Sequence, residues 1–322
     1  MRFLFTAFLA CVVLGLTATH SPAQVATESP TAKAAETSQD AETPKKEQAK
    51  GDDEAKSSDE HREYLRIKKD KNGRQIAMQT AIVRFVGQPG TAYDGAVVDL
   101  VGVVHIGEYK YYKKLDKVLS QYETVLYELV APDGTRIRPE DLKKSRSLIA
   151  SMQTGMKDML KLEYQLEHIN YMAENFRHAD MSPTEFSQDL ERRGDSVIKM
   201  VARMMGAGLA TQSSGGGDLG VFMAMFSDDR PTAMKKAMAR QLIQMESMTT
   251  GMNDANGDNT LIKGRNAKAF KILKAELQAG RENIAVFYGA GHLSDMADRL
   301  ENEFGMKAIE TTWFNAWDLS AK

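Results

Sequence analysis

Cysteine is almost missing from this chain: Cys11 is the only one in 322 residues. One thiol closes no disulfide within the chain, and cysteine-built zinc sites need several. An excess of charge of either sign is missing too. Lys and Arg number 42 and Asp and Glu 44, a formal net charge of -2. That balance gives no basis for binding nucleic acid or an anionic membrane surface. The apolar run Phe3–Leu16 is short for a helix crossing a hydrocarbon core of about 30 Å, so no stable membrane span is expected after processing. What is present is an ordinary globular composition, 42% hydrophobic and 27% charged.

The N-terminus reads as a secretory signal over residues 1–23. Arg2 supplies the positive start and Phe3–Leu16 the apolar region, and Ser21-Pro22-Ala23 supplies small residues for cleavage after Ala23. Export to the periplasm or the extracellular space follows, and the mature protein then has no cysteine. Cys11 lies in Phe8-Leu9-Ala10-Cys11, which loosely resembles a lipoprotein acylation site, and a tether through it is the lesser alternative. The apolar run continues through Val12-Val13-Leu14, which favours a cysteine inside the signal. Residues 24–60 hold almost no large apolar side chain, so they cannot offset the entropy of ordering and read as a disordered polar linker.

Residues 61–322 read as a single α/β domain. Ile76–Val86 and Val97–Val104 are predicted strands, the second almost continuously apolar, as in a strand covered on both faces. A helix from Glu108 to about Gln121 and a strand Thr124–Val130 complete a strand–helix–strand pattern. Residues 139–252 are expected to form a long Met-rich helical insertion, with a capping box at Ser182-Pro183-Thr184-Glu185. A helix Thr260–Gln278, a strand Asn283–Tyr288, a helix Leu293–Phe304 and a strand Lys307–Trp313 follow. The fold class is α/β, with a mainly parallel or mixed sheet built from βαβ units.

Polar residues cluster where ligands bind such sheets, at the carboxyl ends of strands. One strand runs Gly102-Val103-Val104-His105, another runs into Gly289-Ala290-Gly291-His292, and Glu128 falls inside the apolar third strand. Both histidines are expected just before helices, whose positive ends favour neutral imidazole, able to ligate a metal or accept a proton. On the wheel of the helix from Thr260, Leu261, Ile262, Ala269, Phe270, Ile272, Leu273 and Leu277 form an apolar sector that Arg265, Asn266 and Glu276 interrupt. Glu276 lies near the helix end, where fraying would free it. An inward arginine needs a carboxylate, a phosphate or a substrate. Taken singly, each residue has a bland reading: a hydrogen-bonded core histidine, a solvent-facing Glu, a structural Arg265–Glu128 ion pair. Their joint occurrence points to a site.

Two other signals lead nowhere. Asn253–Asp258 resembles a calcium loop, but Asn259 and Arg265 stand where glycine and the bidentate Glu belong. His168 and His178 have no evident partner at ligand spacing.

Gly-x-x-His followed by Tyr127-Glu128-Leu129, Arg265-Asn266 on a helix, and Phe287-Tyr288-Gly289-Ala290-Gly291-His292-Leu293 together resemble the TraB/GumN/TIKI superfamily. Order and spacing match over roughly Val97 to Trp313. Val103 stands where Thr is common and Gly264 where an acidic residue is common, departures that bear on substrate contacts. The family includes membrane-tethered metal-dependent proteases and pheromone-shutdown proteins, with erythromycin esterases and haem-binding lipoproteins as distant relatives. The resemblance implies an active site lined by His105, Glu128, Arg265 and His292, joined by Asp180 of Ala179-Asp180-Met181-Ser182.

The function it implies is a hydrolase of a peptide or small ester. His105 and His292, with Asp180 or Glu128, would hold a divalent ion of the Mn, Co or Zn class and leave a position for water. The remaining carboxylate would be the general base, and Arg265 would stabilise the oxyanion, with Asn266 beside it. A metal-free variant has His105 as base and Glu128 orienting it. The alternatives are a non-catalytic binding protein for haem, a metal or a peptide signal, and a structural envelope protein.

The signal reading is directly testable. N-terminal sequencing of protein recovered from the envelope fraction should begin at Gln24, and recovery of a lipidated Cys11 would refute cleavage at Ala23.

Overall fold

The computed structural model describes residues 63–138, 159–196, 198–199, 217–248 and 260–320. The signal and linker readings, the loop at 253–258 and much of the Met-rich insertion lie outside the described residues.

Two kinds of strand build the main sheet. β1 (Leu65–Lys69) and β2 (Gln75–Gly87) form an antiparallel pair, and β2 also runs antiparallel to β3 (Val97–Val103). After β3, the two-residue β4 (Ile106–Gly107) leads into helix α1 (Tyr109–Leu119), and β5 (Thr124–Tyr127) follows. β6 (Glu163–Tyr164) pairs with β4 and runs directly into the single-turn helix α2 (Gln165–His168). β7 (Phe176–His178), α3 (Pro183–Arg192), α4 (Gly217–Ala224) and α5 (Arg230–Met248) come next. A π-helical turn, Thr260–Gly264, opens α6 (Arg265–Gln278). The chain closes with β8 (Asn283–Gly289), α7 (Leu293–Asn302) and β9 (Met306–Asp318).

The sheet is mixed, as the sequence predicts. β3, β8, β5 and β7 are parallel neighbours in that order, while β9 lies antiparallel along β2. β8 enters between β3 and β5, so the strands joined by α1 are not adjacent. That insertion brings the Gly289 end of β8 between the ends of β3 and β5. β3 is buried along nearly its whole length, consistent with its apolar run. Its one charged residue, Asp99, is held by Arg84 through two bonds of 3.0 and 2.9 Å and by the Tyr122 hydroxyl at 2.6 Å.

α1 packs Tyr111, Tyr112, Leu115 and Leu119 inward, the i, i+3, i+4 spacing of an amphipathic helix. α3 begins at the expected capping box: the Ser182 hydroxyl accepts from the Glu185 N–H, and the Glu185 carboxylate accepts from the Ser182 N–H. β9 is longer than expected because its far end is core. Trp317 is fully buried, and its indole N–H donates to the carbonyl of Ile106 at 2.7 Å.

Three expectations need correction. Glu128 lies just past β5 rather than within it, its N–H donating to the Phe287 carbonyl. Glu276 does not fray: it is buried, takes a bond from the Thr124 hydroxyl and pairs with Arg177 at 2.6 Å, which ties α6 to β5 and β7. His105 does not precede a helix directly, since β4 intervenes and Glu108 is the N-cap of α1. No helix among the described residues is long and apolar enough to cross a membrane.

Candidate active site

Each of the four parallel strands delivers one polar residue just past its carboxyl end. His105 follows β3, Glu128 follows β5, Asp180 follows β7, and His292 closes the short 3-10 turn after β8. The first residue of α6, Arg265, reaches into this rim. Its Nε donates to Asp180 Oδ1 at 3.0 Å, and its Nη2 donates to Asp180 Oδ2 at 2.6 Å and to Glu128 Oε1 at 2.7 Å. Nη1, the remaining arm, lies 3.4 Å from His292 Nε2.

Arg265 is buried, and Asp180 is completely so. The network therefore sits in a low-dielectric place where each charge depends on its partner. Burial alone would raise the Glu128 carboxyl. The guanidinium of Arg265, then His292, His105 and the Gly289 N–H at 2.7 Å, outweigh it and hold Glu128 well below the usual carboxylate range. Desolvation works against the charge on Arg265, but Asp180 and Glu128 keep it protonated.

His292 is fixed by its neighbour on α6. Both amide hydrogens of Asn266 are spent, on the His292 carbonyl at 3.0 Å and on Asp295 at 2.9 Å. Its Oδ1 therefore accepts, and the partner at 2.7 Å is His292 Nδ1, so Nδ1 carries the proton and Nε2 is bare. Burial holds this imidazole down at about 4, with Arg265 adding to the effect and Glu128 and Asp180 opposing it. Its neutrality thus has a different cause from the helix end expected of it.

His105 is half-buried, and its Nδ1 lies 3.1 Å from Gln165 Oε1. The floor between the two histidines is Gly289. A Cβ there would stand 3.2 Å from Glu128 Oε2 and 4.0 Å from His105 Nε2. Gly264 has a local reason as well: a Cβ would come within 2.7 Å of the Asp189 carboxylate, so an acidic side chain would meet both bulk and like charge.

The six residues singled out by sequence thus meet at one rim, but not as a metal site. Both oxygens of Asp180 are engaged by Arg265, and Oδ1 also takes the Met181 N–H at 2.7 Å. Among the described residues, the one set of three or more His, Asp or Glu side chains with ligand atoms all within 4.8 Å of one another is Glu163, Glu167 and His168. The expected ligands His105, His292 and Asp180 are not so gathered, and one guanidinium already occupies the carboxylates that a divalent ion would need. The residues present do not fit a metal in this arrangement.

His168 does have partners, Glu163 at 3.2 Å and Glu167 at 3.9 Å, against the expectation of none. His178 is bound to the Leu129 carbonyl at 2.6 Å. Sequence reasoning missed Gln165, Tyr171 and Tyr288. The buried Tyr288 hydroxyl donates to the carbonyl of Ala179, next to Asp180, which steadies the strand end that presents it. An aromatic beside a Gly-x-x-His motif was the available signal for Tyr288, whereas a lone glutamine offered none. Compared with known protein families, curated proteins and solved structures, the chain matches none.

Two measurements probe this network. Arg265→Ala strands Glu128 and Asp180 in a buried place and should cost about 3–5 kcal/mol in a denaturant melt. Arg265→Lys should recover little, since an ammonium cannot replace a two-armed fork. A loss under about 1 kcal/mol would mean that solvent reaches the carboxylates, contrary to their burial.

The second measurement is stability against pH. The unfolded imidazole titrates near 6.5 and the folded His292 near 4, so as pH falls between these values the unfolded state gains a proton that the folded state refuses. Stability should drop across that window by about 3 kcal/mol and stop changing on this account below it. Glu128 adds a further loss only below about pH 4.5, where an unfolded Glu protonates and the folded one does not. His292→Gln should flatten the upper part of the curve, and an unchanged slope in that variant would remove His292 as its source.

Proposed function

We propose that this chain is an exported TraB/GumN/TIKI-like hydrolase that cleaves a peptide or ester bond with His105 as general base. The observation that carries the reading is an imidazole whose Nε2 has no hydrogen-bond partner among the described residues, in electrostatic reach of a carboxylate kept ionised by a buried arginine. The motifs resembling the superfamily contribute the residues that meet there, which supports the assignment.

In this mechanism His105 Nε2 takes a proton from water as the water oxygen attacks the substrate carbonyl. The resulting imidazolium lies beside the Glu128 carboxylate, which stabilises it as it forms. The same proton then passes to the leaving amine or alcohol as the carbonyl carbon to heteroatom bond breaks. Arg265 serves chiefly to keep Glu128 anionic and in place, with Nη1 the one arm not bonded to a carboxylate. Asn266 holds the Nδ1–H tautomer of His292, which burial keeps neutral beside the same carboxylate. No step is routed through a metal.

The saturation of Arg265 by two carboxylates favours one second reading, a binding protein for haem, a metal or a peptide signal. It leaves the oxyanion role first expected of Arg265 with one arm, Nη1, that is not bonded to a carboxylate and instead faces His292 Nε2.

The test is a screen of peptidase and esterase substrates on the full mature chain, with and without a chelator. Turnover should survive chelation. His105→Ala should lower kcat by about two to four orders of magnitude while circular dichroism stays unchanged. Wild-type turnover in His105→Ala would remove the base. Activity lost to chelator and restored by Mn, Co or Zn would overturn the metal-free route. Tight haem or peptide binding without any turnover would favour the second reading.

A further inference from the structure

Gln165 is placed against His105 by backbone before its side chain acts. β6 pairs with β4 in the register Ile106↔Tyr164 and Gly107↔Glu163, directly after His105. The Gln165 N–H donates to the His105 carbonyl at 3.0 Å. From this fixed position the buried carboxamide meets two groups: His105 Nδ1 lies 3.1 Å from Oε1, and the Tyr171 hydroxyl lies 2.7 Å from Nε2. Tyr171 is itself buried, its ring against Tyr127 and Phe287. An amide between a phenol and an imidazole can work in either of two senses. If its nitrogen donates to the phenol, its oxygen accepts from Nδ1–H and Nε2 is bare. If the amide is turned, its nitrogen donates to Nδ1 and the proton sits on Nε2.

We infer that Gln165 is a positioning residue that sets His105 as the Nδ1–H tautomer, leaving Nε2 as the basic atom. The carboxamide stands in the first sense, with Oε1 toward His105 Nδ1 and Nε2 toward the Tyr171 hydroxyl, and Glu128 is near enough to His105 to interact with it electrostatically. That sense leaves a lone pair on Nε2, which water in a half-exposed site can meet. His292 supplies the precedent within the same rim, because the Asn266 oxygen fixes its Nδ1 proton in the same way. The two imidazoles thereby become alike, each donating its Nδ1 proton to an amide oxygen of a neighbouring element. A neutral partner suits this role better than a carboxylate, which would add a second anion beside Glu128.

The inference deepens the reading of His105 as the base and rests on it for its catalytic meaning, but its test does not need turnover. The mature chain is labelled with 15N-histidine and long-range proton–nitrogen correlations are recorded, with His105 assigned by the signals lost in His105→Gln. The wild type should show His105 protonated at Nδ1. Gln165→Leu should convert it to a mixture or to the Nε2–H form and lower kcat by about ten- to hundredfold. Gln165→Glu keeps an acceptor at the same place and should keep the Nδ1–H signal. Wild-type His105 protonated at Nε2 would overturn the inference, whatever the activity. So would an unchanged tautomer in a folded Gln165→Leu. If Gln165→Leu fails to fold, the wild-type and Gln165→Glu spectra still decide, the latter by retaining or losing Nδ1–H. An inactive protein whose His105 is Nδ1–H would count against the hydrolase reading and leave the positioning role standing.

Discussion

Arg265 joins two carboxylates that come from different strands, and it does so from the first residue of a helix. Without it Glu128 would lose the guanidinium that keeps its carboxyl ionised, and Asp180 would lose its ion-pair partner, where a buried charge is tolerated only when paired. The dependence runs both ways, since desolvation works against the charge on the guanidinium and the two carboxylates offset it. Three separate pieces of chain are therefore held in one geometry by electrostatics as much as by packing. The order of the strands prepares this. With β8 between β3 and β5, the ends that bear His105, Glu128 and His292 stand side by side, and β7 adds Asp180 at the flank.

Around the ion cluster, amides define the protonation of the rings. Asn266 is adjacent in sequence to Arg265, so one helix start fixes both the charge of Glu128 and the tautomer of His292. Gln165 plays the matching part for His105 from the opposite side, anchored through the β4–β6 pairing. Outer groups of this kind decide which atom of an imidazole faces a reactant. The division is economical: cation and carboxylates set the field, neutral amides set the proton positions.

How much of this was legible in the sequence depended on length and period. β2, β3, β5, β8 and the helices α1, α6 and α7 carry apolar runs or helical spacing long enough to read, and their bounds fall near those expected. β4, β6 and β7 span two or three residues, too few to show any period, and β1 reads Leu-Arg-Ile-Lys-Lys, in which charge obscures the alternation. The site residues were legible because polar side chains at strand ends stand out against apolar surroundings. Their roles were less so. Asp180 and Arg265 each looked like a group awaiting a ligand or a substrate, and they answer one another instead. Gln165 could not be found, since nothing in a lone glutamine says which ring it will meet.

The turn that opens α6 also explains why a helical wheel drawn from Thr260 holds from Arg265 onward but not at Leu261 and Ile262. Its five residues form a π-helical turn, wider than the α-helix it enters, so Leu261 and Ile262 are only half-buried while Thr260 and Gly264 are buried. The angular phase of the chain is reset at Arg265. One residue added or removed within a helical segment swings the side chains on either side of it by about 100° relative to one another. What aims Arg265 and Asn266 at the rim is thus a length as well as a composition. Over evolutionary time, the segment before Arg265 should exchange one residue for another far more readily than it gains or loses one.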